Sequence, residues 1–158
     1  MKKRRSSTSI PALGLVVLLT LCAHPSLASA DDFMGGVRFG YYFDAEKPFV
    51  GGELLVRMAH RLYFNPNVEY VFVDNGSYLA FNADFHYDFP RRSAFYWLGG
   101  GLGVVTDNPD GPNNSDTTLA ANFLAGVGFR TGSVIPYFQA KAIAKSNAEF
   151  SIAFGLRF

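Results

Sequence analysis

Asp84 and His86 stand two residues apart in an aromatic-rich stretch, and that spacing puts both on one face of an extended strand. With Glu69 and Glu53 brought level with them, two or three carboxylates and an imidazole could relay a proton or hold a metal ion. No second histidine falls on the same face, and His60 sits in a turn-like segment, so the expectation is a structural charge network with no catalytic residue and no metal ligand. A second group of oxygen ligands lies between Asp107 and Asp116, in Asp107-Asn108-Pro109-Asp110-Gly111-Pro112-Asn113-Asn114-Ser115-Asp116. It lacks the regular spacing and closing Glu of an EF-hand loop and is expected to be a flexible connection.

The elements that would position these residues are strands. Turn signals cut the sequence into eight strand-like segments, 33–43, 49–58, 61–73, 77–89, 93–106, 117–131, 134–145 and 148–158. The breaks carry turn chemistry: Asp44-Ala45-Glu46-Lys47-Pro48, Asp74-Asn75-Gly76-Ser77, Pro90-Arg91-Arg92 and Thr131-Gly132-Ser133. Within the segments the hydropathy alternates with period two. Phe150, Ile152, Phe154, Leu156 and Phe158 alternate with Glu149, Ser151, Ala153, Gly155 and Arg157, and the segment from Leu79 to Phe89 repeats the pattern. One face is large and apolar; the other is small or charged.

Which face points inward decides the class of protein. A soluble barrel fills its interior with large apolar residues and hydrates the other face. Here the minority face mixes Gly and Ala with isolated charges, as a narrow lumen requires, while the aromatic face recurs on strand after strand, so the aromatic face is turned outward to lipid. That places Arg38, Glu53, Arg57, Glu69, Asp84, His86, Arg130, Lys141 and Arg157 inside as a paired lumen network. Pro66 and Pro136 each remove a ladder hydrogen bond and predict bulges near the rim. The fifth segment, with Gly99-Gly100-Gly101 and Gly103, has no clear face: its glycines either admit bulky interior neighbours or mark a bend.

The N-terminus supplies the route. Lys2-Lys3-Arg4-Arg5, an apolar run over 13–22 and Ala28-Ser29-Ala30 before Asp31-Asp32 have the layout of a secretory signal peptide cleaved after Ala30. The run is too short for an uncleaved anchor, and Leu21 ahead of Cys22 is too large for a lipoprotein signal. The expected domains are therefore a signal peptide, 1–30, and a barrel, 31–158. The mature chain keeps ten Lys and Arg against thirteen Asp and Glu, a net charge of −3, and no cysteine. That composition excludes a disulfide framework and a cysteine zinc site, and gives no reason to expect nucleic acid as a partner.

Over 33–158 the sequence resembles the OmpA/OmpX-like superfamily of small outer-membrane barrels, most specifically in Phe150-x-Ile152-x-Phe154-x-Leu156-x-Phe158 with its aromatic end. The resemblance implies an all-β fold, an eight-stranded antiparallel up-and-down transmembrane β-barrel in the outer membrane of a Gram-negative bacterium. It also implies that the last strand is read by the outer-membrane insertion machinery after delivery by periplasmic chaperones. The expected surroundings are outer-membrane lipid and lipopolysaccharide; if the 107–116 loop binds anything, divalent cations bridging lipopolysaccharide are the candidate. Ser146-Asn147 is similar to a pair found in lipid A deacylase barrels, but the position that would hold their catalytic His is Ala144. The expected role is structural or surface-interacting, with a packed lumen and no cofactor. A narrow channel or carrier for small apolar molecules, like the OmpW-type barrels, is the first alternative, and a lipid A-modifying enzyme the second.

Overall fold

The computed structural model describes residues 33–73, 77–108 and 116–158. The signal-peptide region, most of the Asp74 to Ser77 turn and the core of the 107–116 loop lie outside the described residues. Eight strands follow one another along the chain: β1 (Phe33–Tyr42), β2 (Lys47–Ala59), β3 (Leu62–Val71), β4 (Ser77–Pro90), β5 (Ala94–Asn108), β6 (Asp116–Phe129), β7 (Ile135–Ala144) and β8 (Glu149–Arg157). Each pairs antiparallel with the next, and β1 closes on β8 through Phe39 opposite Phe154. Closure satisfies the backbone of every strand and leaves no open edge, which is the condition for a sheet to cross hydrocarbon. The start of β1 and the end of β8, here the terminal end, lie at one end of the barrel with the connections at 60–61, 91–93 and 130–134. The connections at 43–46, 72–76, 109–115 and 145–148 are at the far end.

The alternation sorts as expected. Phe81, Phe85, Phe123, Phe138, Phe150 and Ile152 are exposed on the outside. Among the described strand residues, Arg38, Glu53, Glu69, Asp84, Asp88, Lys141, Glu149 and Arg157 all point inward and are buried, while Lys47 and Arg57 sit at strand ends. The outward face between the rims is thus free of charge among those residues. A charge there would cost about 2–4 kcal/mol at mid-bilayer.

Much of the interior bulk is accommodated by pairing a large side chain with a glycine across the strand boundary. Phe49 faces Gly40, Trp97 faces Gly126, Phe95 faces Gly128 and Tyr137 faces Gly155. A Cβ added at Gly126 would stand 2.1 Å from the Trp97 ring, and one at Gly155 2.3 Å from that of Tyr137. The glycine-rich β5 follows the same rule: Gly99, Gly101 and Gly103 point inward opposite His86, Asp84 and Asn82. Its glycines admit bulky neighbours rather than mark a bend.

The bulges expected at the prolines are absent. Pro66 keeps register with Ala83 on β4, and on the other side the Asn65 amide donates to the Leu54 carbonyl at 3.1 Å, a side-chain donor in place of a distortion. Pro136 lies one residue beyond the last β6 pairing and keeps register with Leu156 on β8. The register shift falls instead between Arg57 and Ala59, next to the tight His60-Arg61 turn.

The lumen is layered. Tyr42, Phe49, Val71 and Ile143 form an apolar plug at the far end, and Phe95, Trp97, Leu124 and Tyr137 another at the terminal end. The polar residues lie between them.

Candidate functional site

Six charges alternate in sign through the polar layer. Arg157 Nε donates to Glu53 Oε1 at 2.9 Å, and Glu53 also faces Arg38 at 3.5 Å. Arg38 reaches on to Glu69, Glu69 accepts from Lys141 at 3.2 Å, and Lys141 stands 3.4 Å from Asp84. The chain Arg157, Glu53, Arg38, Glu69, Lys141, Asp84 therefore ties together β8, β2, β1, β3, β7 and β4. All six side chains are at most 2 % exposed. Three cations balance three carboxylates, which is what makes their burial tolerable.

Amides finish the network. Asp84 accepts from Asn67 at 3.0 Å and Asn122 at 2.8 Å, Asn82 donates to Asn67 at 3.0 Å, and Asn65 donates to Glu53 at 3.0 Å. Tyr42 donates to the second oxygen of Glu69. At the other end of the chain the Arg157 guanidinium lies over Tyr137 at 4.3 Å and Trp97 at 4.9 Å, so aromatic faces supply the rest of its environment. Among the described residues β5 contributes no charged or amide side chain to this layer, and its inward glycines make the room.

Of the nine residues expected in the network, six form the chain. His86 is buried beside it, stacked with Tyr63 and Trp97 at 5.6 Å each, with Nε2 3.4 Å from Asp88. It does not join Asp84, whose oxygens are taken by Lys141 and the asparagines. Arg57 and Arg130 do not join either. Both have inward parity but stand at the terminal rim and are exposed; Arg57 lies over Tyr63 at 5.9 Å, and Arg130 lies over Phe95 at 5.0 Å and donates to the Arg91 carbonyl at 3.3 Å. Alternation fixes the face of a residue and not its height. Tyr42, Tyr137 and the asparagines were missed as network members, although Asn65, Asn67 and Glu69 share a parity that pointed to them.

The chemistry available here is electrostatic cross-linking. Each carboxylate is already engaged by a cation, and among the described residues no group of three or more His, Cys, Asp or Glu is placed to hold a metal. Ser146 is exposed in the far-end bend, beside a Lys145–Glu149 pair at 2.6 Å. Burial, the largest single influence, would lower the Lys145 pKa, but the hydrogen bonds and charges of Glu149 and Tyr78 together outweigh it and hold the amine above its usual range, charged and unsuited to act as a base.

No protein-family model and no curated sequence matches the chain. Solved structures do. The N-terminal β-barrel domain of OprF from Pseudomonas aeruginosa is 13 % identical with a TM-score of 0.69, over 80 % of this chain and 96 % of that one. Neisserial surface protein A is 14 % identical with a TM-score of 0.62, over 82 % and 98 %. The chain has the fold of the small outer-membrane β-barrels. The outer-membrane enzyme PagL is similar too, at 15 % identity and a TM-score of 0.52 over 79 % and 98 %, so this fold is also found in an enzyme. At such identities the likeness concerns the fold alone.

Proposed function

We propose that this barrel is a non-enzymatic outer-membrane protein with a closed lumen, serving envelope integrity or surface interaction through its far-end connections. The observation that carries the reading is the six-residue charge chain, which joins six strands across the lumen between two apolar plugs. A route for solutes would have to separate buried opposite charges, at a cost of several kcal/mol for each pair broken. In this reading residues 1–30 are a signal peptide removed on export, and the mature chain reaches the insertion machinery with periplasmic chaperones. Phe150, Ile152, Phe154, Leu156 and Phe158, all on the outer face of β8, form the strand that the machinery reads, and lipopolysaccharide and phospholipid surround the folded barrel.

Planar-bilayer conductance of refolded residues 31–158, with a heat-modifiable gel shift as proof of folding, tests the closed lumen. A folded barrel with no stable conductance is the expected result. Reproducible conductance steps would replace this reading with the narrow channel.

A further inference from the structure

Arginines gather at one end of the barrel. Arg57, Arg61, Arg91, Arg92 and Arg130 are all exposed at the terminal end, with no exposed Asp or Glu beside them among the described residues, whereas the far end mixes Asp44, Glu46 and Glu149 with Lys47 and Lys145. Two of the arginines hold the connections in place: the Arg130 amide donates to the Ser93 carbonyl at 3.0 Å, the Arg91 amide to the Ala94 carbonyl at 2.8 Å, and the Arg130 side chain to the Arg91 carbonyl at 3.3 Å. The 91–93 and 130–134 connections are thereby locked together at the terminal ends of β5 and β6. On the outer face below them, an apolar trough of about 710 Å³ runs over β6, β7, β8 and β1. Ala125 and Ala140 form its floor, and Tyr96, Phe138, Phe154 and Tyr41 stand along its walls.

We propose that this composite surface binds an anionic phospholipid of the leaflet at the terminal end, its phosphate at Arg91 and Arg92 and one acyl chain in the trough. Charge complementarity selects the head, because guanidinium groups match phosphate oxygens in geometry as well as sign. The floor selects the tail: two alanines in a row of aromatics leave a depression that hydrocarbon must fill in a bilayer. Tyr96, on the trough wall, follows Arg92 by four residues, at most about 14 Å of extended chain, so one lipid spans both parts. The inference rests on the membrane-spanning reading and says nothing of the lumen, so a conducting barrel would leave it standing.

The test is native mass spectrometry of the refolded barrel in mild detergent, with dioleoyl phosphatidylglycerol and dioleoyl phosphatidylcholine offered together and folding checked by gel shift. Phosphatidylglycerol should be retained in preference. The Arg91→Gln/Arg92→Gln variant should bind it about 30-fold more weakly, at roughly 1 kcal/mol per arginine, and Ala140→Phe, which fills the trough, should lose it while remaining folded. Equal retention of the two lipids, or phosphatidylglycerol binding unchanged in either variant, would overturn the proposal. So would a dimer that Ala140→Phe dissociates and that phosphatidylglycerol leaves intact, since the trough would then seat a second copy of the chain.

Discussion

At the scale of single residues, Glu69 carries the most, since Arg38, Lys141 and Tyr42 all converge on it in a site closed to water. Glu69→Ala would strand two buried cations with one carboxylate each, and we predict a loss of about 3–5 kcal/mol in urea unfolding of the barrel in lipid vesicles. The alternative, a lumen wet enough to solvate Arg38 and Lys141, would reduce that loss to less than about 1 kcal/mol. A gain is expected at Arg61, which holds φ at 62° in the two-residue turn between β2 and β3 with an exposed side chain. Arg61→Gly should raise stability by about 0.5–1 kcal/mol in the same assay, because glycine adopts that conformation without strain. The charged members of the network were legible from parity alone. The misplacement of Arg57 and Arg130 was not avoidable that way, because a strand's alternation carries no signal for where the membrane ends.

The strand pairs obey a rule of complementary volume. Trp97 occupies the space that Gly126 vacates, and Phe95 and Tyr137 lie in the same way over Gly128 and Gly155. Gly126→Val alone should therefore destabilise the barrel by about 1–3 kcal/mol, and so should Trp97→Ala through the cavity it leaves. The double variant should cost clearly less than the two losses added, as a double-mutant cycle on unfolding would reveal. Strict additivity would mean that the pair is not packed as described. This rule explains why seven of the strands could be oriented from their sequence and β5 could not. Glycine has no hydropathy to alternate, so the face of Gly99 to Gly103 is set by His86, Asp84 and Asn82 on the neighbouring strand. The prolines misled for a related reason: the remedy for Pro66 is the Asn65 amide, a side-chain donor that no turn or bulge signal announces.

Over the whole molecule three arrangements act together among the described residues: an uncharged aromatic exterior, an interior whose central chain balances three cations against three carboxylates, and a terminal rim rich in arginine. The first was readable because period-two alternation repeats in strand after strand, and the aromatic face was too regular to be loop-covered. The third went unread, although Arg61, Arg91 and Arg92 fall at alternate connections, which share one end of an up-and-down barrel. All three depend on the direction in which the two faces point, and the chain contains one natural reporter of that direction. Trp97, its single tryptophan, is 1 % exposed and lies inside the terminal-end plug against Tyr137 and Arg157. Fluorescence quenching of the refolded barrel in vesicles therefore tests the central claim most directly. The account predicts that Trp97 is protected both from aqueous iodide and from lipids brominated along their acyl chains. Strong quenching by brominated lipid would mean that the faces are inverted, and strong quenching by iodide that the lumen is open to water; either result would contradict the closed, inside-charged barrel.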